Sequence, residues 1–161
     1  MRPVQSLIDE YAESHQNPVN IAIHWVCVPL IIFSLVGLLW SIPTPDSFHI
    51  GYPINWGTIF ITLTFIYYTL LSRVLAWGMV IISSALISGI YVLDKQFAEN
   101  QTLHLWTVSL IVFIIAWIGQ FVGHKIEGKK PAFIKDLQFL LIGPIWLLSK
   151  IYRKLRIPIV N

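Results

Sequence analysis

Apolar and polar positions alternate along this chain in two distinct ways. Over residues 3–15 the apolar positions Val4, Leu7, Ile8 and Tyr11 recur every three or four residues, and His15 continues the same stripe. Gln5, Ser6, Asp9, Glu10, Glu13 and Ser14 fill the opposite face. That pattern predicts a short amphipathic helix suited to a membrane surface, with His15 directed toward the apolar side. Beyond it the periodicity gives way to long runs without charge. No Asp, Glu, Lys or Arg occurs between Glu13 and Asp46, between Asp46 and Arg73, between Arg73 and Asp94, or between Glu99 and Lys125. A helix needs roughly 20 mostly apolar residues to cross a bilayer. These runs predict four spans, at about 18–42, 54–72, 74–93 and 102–127, in a single membrane domain covering 1–161.

Local signals set the ends. Asn17 is a good N-cap and Pro18 suits the first helical position, where its missing N–H would have no partner anyway. Pro29 predicts a kink inside the first span. The Pro43–Pro53 loop holds Asp46 and His49, a very short turn at Ser72-Arg73 joins spans two and three, and Asp94–Gln101 reads as a polar loop. Gly128 is placed to end the fourth span, with Pro131 just beyond. The apolar run Leu137–Leu148 is too short to cross and is interrupted by Gly143-Pro144, so it is expected to be interfacial or re-entrant. The fold class is therefore all-α: a polytopic membrane helix bundle of about four transmembrane helices, an N-terminal amphipathic helix and a C-terminal interfacial segment.

Composition supports that class. Of 161 residues, 56% are hydrophobic and 12% charged, against about 25% charged in soluble domains. The first apolar run follows an acidic stretch and lacks a basic leader, which argues against a signal peptide. The lone Cys27 excludes an internal disulfide and a cysteine-rich metal site. With four spans, one face carries Arg2, Arg73, Lys125, Lys129, Lys130, Lys135, Lys150, Arg153, Lys154 and Arg156, and the other only Lys95. The positive-inside rule then puts both termini in the cytoplasm, in the inner membrane of a bacterium or the endoplasmic reticulum of a eukaryote. The basic pI reflects membrane headgroups rather than nucleic acid as partner.

Two stretches carry candidate chemistry. His15 and His24 flank the Asn17-Pro18 step at the entry of the first span. Gln120, His124 and Glu127 share one face at the end of the fourth, where Gly119 and Gly123 let another helix come close. Both stretches reach the same membrane face, so His15, His24 and His124 are expected to converge. Three imidazoles suit a divalent metal such as Zn, Fe, Cu or Ni. Asn17, Asn20, Gln120 and Glu127 are candidates for the partners that orient the rings and complete the catalytic site. The tryptophans read as an aromatic belt marking span ends, and Cys27 as a small packed residue. Two other readings keep the same helices: His24 and His124 as axial ligands of a haem in an electron carrier, or the polar cluster as structural glue in a non-enzymatic scaffold. The absence of a charge at mid-span argues against an ion pump.

Tyr11-x-x-x-His15-x-Asn17-Pro18-x-Asn20-x-x-x-His24, followed by Pro29, resembles the N-terminal signature of the Fe(II)-dependent 2-hydroxy fatty acid dioxygenases, a membrane family of fungi and bacteria. Trp117-x-x-Gln120-Phe121-x-Gly123-His124-x-x-Glu127-x-x-x-Pro131 is similar to the family's second motif. The resemblance covers nearly the whole chain. It implies an oxidoreductase of fatty acid α-oxidation, in which a 2-hydroxy fatty acid reacts with O2, loses its carboxyl carbon and leaves an acid one carbon shorter. It also implies Fe(2+) as cofactor, with His15, His24 and His124 as the matching motif histidines; a 2-hydroxy acid can chelate such an ion through its carboxylate and hydroxyl together. A further family histidine falls at Phe113 here. The nearest upstream histidine, His104, is the remaining candidate ligand; on one straight helix it would lie about 30 Å from His124, too far to share an ion.

Overall fold

The computed structural model describes residues 3–45, 54–100, 103–131 and 138–159. Among them are six helices and no strand: α1 Val4–Glu13, α2 Pro18–Trp40, α3 Trp56–Leu71, α4 Arg73–Asn100, α5 Leu105–Glu127 and α6 Phe139–Lys154. Asn17 caps α2 by accepting from the Val19 N–H, with Pro18 at the first helical position. Asn55 and Thr58 form a reciprocal capping box that starts α3. Gly128 ends α5 in the left-handed conformation, φ 73°, which glycine adopts at no steric cost. Asp46 and His49 lie outside the described residues.

α2, α4 and α5 are each long and apolar enough to cross a membrane. α3 has 16 residues, about 24 Å, short of the roughly 30 Å hydrocarbon core. Its neighbours nonetheless fix its direction. Trp56 at its start donates to the Pro43 carbonyl beyond the end of α2. Tyr68 near its finish donates to the Leu141 carbonyl of α6. At the first of these faces Trp40 of α2 meets Asp94 of α4 through its indole N–H. The four helices α2–α5 thus run alternately up and down.

Two expectations change. α4 continues to Asn100, where the polar residues from Asp94 onward predict a loop. Asp94, Lys95, Gln96 and Glu99 mark the exit from the apolar layer, but nothing among them breaks a helix; the glycine and proline that would do so are missing. α6 is one uninterrupted helix through Gly143-Pro144, where the Gly-Pro step predicts a break. Pro144 costs it a single backbone bond, to the Leu140 carbonyl. In return Ile142 through Ser149 are all buried. α6 packs on α1 and α4, and its core includes Leu7, Ile8 and Tyr11 of α1, Tyr68 of α3 and Leu75 and Met79 of α4. The apolar stripe of α1 is therefore covered by α6 rather than by lipid.

α2 and α5 form the most intimate helix pair. Small residues make it so. A Cβ on Gly119 would lie 2.6 Å from Cys27 Sγ, one on Gly123 2.4 Å from Asn20 Oδ1, and one on Gly37 2.3 Å from Ser109 Oγ. The Gly119/Gly123 pair works as the spacing predicts, and Gly37 extends the seam toward the other face. Gly119→Leu is therefore expected to destabilise the bundle by about 1–3 kcal/mol through overpacking, read as a lowered thermal midpoint in detergent. At Gly89 a Cβ would meet only open space, so Gly89→Ala is expected to leave that midpoint unchanged or raise it, since alanine favours a helix by about 1 kcal/mol.

Candidate metal centre

Three elements deliver three histidines to one point. His15 leaves the end of α1, His24 stands two turns into α2, and His124 sits one turn before the end of α5. Exposure is 2% for His15, 0% for His24 and 5% for His124, so the rings share a volume closed to solvent. The ring centroids are 4.3 Å apart for His15 and His24, 4.9 Å for His15 and His124, and 5.0 Å for His24 and His124. One potential ligand atom from each lies within 4.8 Å of the other two.

The hydrogen bonds fix which nitrogens carry protons. His15 Nδ1 lies 2.6 Å from the Tyr11 carbonyl, and His24 Nδ1 lies 2.9 Å from the Asn20 carbonyl. A carbonyl only accepts, so each Nδ1 carries the hydrogen. Each neutral ring then presents an unprotonated Nε2, and these two Nε2 atoms face each other at 2.9 Å. Two lone pairs at that distance repel unless a cation or a proton stands between them. Burial opposes the proton: desolvation, with His24 nearby, lowers the His15 pKa to about 3. His15 is thus neutral at pH 7, the form that ligates metals. His124 Nδ1 is also buried and has no hydrogen-bond partner. Paired lone pairs beside an unsatisfied imidazole nitrogen fit a divalent cation, and an all-imidazole donor set suits Fe, Zn, Cu or Ni.

The other candidates have different places. Backbone carbonyls one turn upstream engage Nδ1 of His15 and of His24, and the Gln120 side chain adds a hydrogen bond to His24. Glu127 instead holds the chain together: its two carboxylate oxygens accept the Gln16 and Asn17 backbone N–H groups, each at 2.8 Å, and the Asn20 amide at 3.0 Å. An anion at the start of α2 meets unpaired backbone donors and the positive end of the helix dipole. Asn20 also donates to the Ser14 carbonyl, and Lys129 Nζ to the Glu13 carbonyl. These bonds tie the α1–α2 turn, and with it His15, to the end of α5. Asn17 caps α2 and does not reach the rings. Gln120 is buried with its side chain against His24. His104 is the N-cap residue of α5, at the far end of that helix from His124, and does not join the cluster. Phe113 lies on the same helix, against Trp117.

Two aromatic walls complete the centre. Tyr11 stacks on His15 with centroids 4.2 Å apart and planes at 10°. Trp146 of α6 approaches His15 at 5.0 Å and Tyr11 at 5.3 Å. Burial raises the Tyr11 pKa, so the phenol stays protonated. Tyr11 was legible as the residue one helical turn before His15. Trp146 was not: it is 2% exposed and no belt residue, and no local spacing links it to the histidines.

Comparison with known proteins bears directly on this geometry. A relative in Saccharomyces cerevisiae, 2-hydroxy-palmitic acid dioxygenase MPO1, is 30% identical over 156 residues, which cover 94% of this chain and 81% of the yeast protein. No solved structure matches. The family described as 2-hydroxy-palmitic acid dioxygenase Mpo1-like matches residues 1–155, and with both motifs now standing around one buried histidine cluster, this chain belongs to the Mpo1-like family.

Proposed function

We propose that this protein is a membrane dioxygenase that shortens 2-hydroxy fatty acids by one carbon, using Fe(II) held by His15, His24 and His124. One observation carries the reading: two unprotonated Nε2 atoms at 2.9 Å, with a third imidazole beside them, need a cation. The name of the yeast relative supplies the reaction class and the 2-hydroxy acid. When bound, the ion would supply the one-electron chemistry that lets O2 react with a closed-shell substrate. The chain's own part is to keep three imidazoles neutral, aimed and dry. The Tyr11 and Asn20 carbonyls hold the Nδ1 protons of His15 and His24, so both rings keep their Nε2 lone pairs toward the centre. Tyr11 and Trp146 exclude water from one side of His15. Glu127 is a positioning residue that fixes His15 relative to His124.

The rival readings fare worse on geometry. Three rings in mutual contact at 4.3–5.0 Å leave no plane for a porphyrin between any two of them. Structural glue alone, with each Nδ1–H given to a backbone carbonyl, would leave the two Nε2 lone pairs facing each other at 2.9 Å. The excess of Lys and Arg on the histidine face supports an orientation with both termini and the metal centre at the cytoplasmic side, as a four-pass protein in which α3 completes its crossing with flanking residues.

Metal analysis of detergent-purified protein, with oxygen uptake on 2-hydroxypalmitate and palmitate, tests the reading. The wild type is expected to hold iron and consume O2 only with the hydroxy acid. His24→Gln and His124→Gln are expected to lose both iron and turnover, while His104→Ala keeps both. Iron and uptake retained in the first two variants would overturn the assignment. Glu127→Ala leaves the Gln16 and Asn17 N–H groups without their acceptor. It is expected to weaken iron binding roughly 10–100-fold, the usual range for groups that orient metal ligands, and to lower the thermal midpoint. Glu127→Gln, which retains an accepting oxygen, is expected to recover part of both.

A further inference from the structure

A cavity of about 640 Å³ lies between α2, α3, α4, α5 and α6, with walls that are almost wholly apolar. Its volume is in the range of roughly 300–1,000 Å³ typical of small-molecule sites. A narrow space of about 50 Å³ adjoins it and shares Val28, Ile31, Ile32, Trp117 and Leu140 with it. That neck is also lined by Tyr11, Gln120 and Gly143. Tyr11 stacks on His15 and Gln120 touches His24, so the neck leads from the cavity to the histidines. Gly143 keeps it open: a Cβ there would stand 3.0 Å from the Tyr11 hydroxyl.

At the other end the cavity is backed by packed apolar side chains. Ile32, Phe60, Ile61 and Leu86 line it and pack on Val36 and Ile90, both 0% exposed. Leu35, also on this wall, is eleven residues beyond His24 in α2, about 16 Å along the axis. To the side, the rim residues Trp25, Ile82, Leu140 and Ile151 are exposed large apolar groups, and in a bilayer they face lipid. The space therefore has a polar-chemistry end, a dry length, a floor and a lateral edge open to acyl chains.

We infer that this cavity holds the substrate's acyl chain, passed in from the bilayer with its 2-hydroxy acid head drawn through the neck to the histidines, and that Phe60, Ile61 and Leu86 form a floor that sets the longest chain accepted. The inference rests on the dioxygenase reading for the identity of the head group, while the chain site rests on the cavity itself. A tail without polar substituents suits it, because the walls offer a terminal group almost nothing to hydrogen-bond.

The test measures kcat/KM over a homologous series of saturated 2-hydroxy fatty acids for the wild type, Leu86→Ala and Leu86→Phe. Leu86→Ala deepens the floor and is expected to shift the preference toward longer chains. Leu86→Phe raises it and is expected to cut kcat/KM on the longest chain the wild type accepts by roughly tenfold or more, the scale on which a pocket discriminates single methylenes, while sparing shorter chains. Ile61→Ala, on the facing helix, repeats the lengthening arm if Leu86→Phe does not fold. Normal turnover with an unchanged chain-length profile in the variants that fold would overturn the floor. Displacement of a fluorescent dansyl fatty acid by the same series reads the cavity separately from the chemistry. If the wild type consumes no member of the series, the dioxygenase reading falls, and the cavity inference stands or falls on whether Leu86→Phe weakens displacement by long chains only.

Discussion

The contact between α2 and α5 is the constraint on which the rest of the protein depends. Apolar side chains gain little by leaving lipid for another helix, so two helices associate through close packing and the few polar groups they share. Here closeness comes from what is missing: Gly37, Gly119 and Gly123 carry no Cβ, and Ser109, Cys27 and Asn20 fill the vacated space. A seam pinned at three points along its length fixes register as well as distance. That register brings His24 level with His124, and no loop could do so as rigidly. The chemistry at one end of the bundle is a consequence of packing along the whole pair.

A second constraint is that the centre must be polar inside and dry outside. Backbone carbonyls in a helix or its last turn already accept an N–H three or four positions on, yet they retain a second lone pair. His15 and His24 exploit this, each directing Nδ1–H back to the carbonyl one turn upstream. The device needs no additional buried polar side chain, so it adds no new group to satisfy. The charge that is present, Glu127, is kept at the margin, half-buried and engaged by three donors. Placing the carboxylate on the α1–α2 turn rather than among the rings leaves the donor set neutral and gives the anion the unpaired N–H groups at the start of α2. α1 and α6 then close the centre from the side that lipid tails cannot cover.

Much of this was legible because it was local. The Asn17-Pro18 start, the Gly128 stop and the Gly119/Gly123 approach each follow from residues within a few positions of one another, and the convergence of His15, His24 and His124 follows from counting crossings. What was not legible depended on contacts between distant segments. Polarity at Asp94 signals the edge of the membrane and reads as the end of a helix, though the two are different physical events. Gly143-Pro144 looks like a break because the stabilising burial of Ile142–Ser149 comes from α1, α3 and α4. Trp146 looks like a belt residue for the same reason: only the fold reveals that it stands against His15. Asn17 and Glu127 lie in the right motif but bond to the α1–α2 turn rather than to the rings, while Asn20 does both, its side chain on the turn and its carbonyl on His24.

The division of the molecule into a histidine end and an apolar hollow has a physical logic. A lipid with a chelating head and a long tail must lose water from its head and keep its tail out of water throughout. Binding the tail first, from within the bilayer, costs little desolvation, because it exchanges one hydrocarbon surrounding for another. Affinity gained there is small, so discrimination would have to come from shape, which a closed floor would supply where an open groove would not. The head then arrives at a site already closed to solvent, with its orientation limited by a tail that can extend in only one direction. A helix seam that determines where two imidazoles meet also shapes the wall beside them, since Val28, Ile31 and Trp117 lie on the same two helices. The placing of the histidines and the shape of the apolar hollow are in this way two consequences of one packing arrangement.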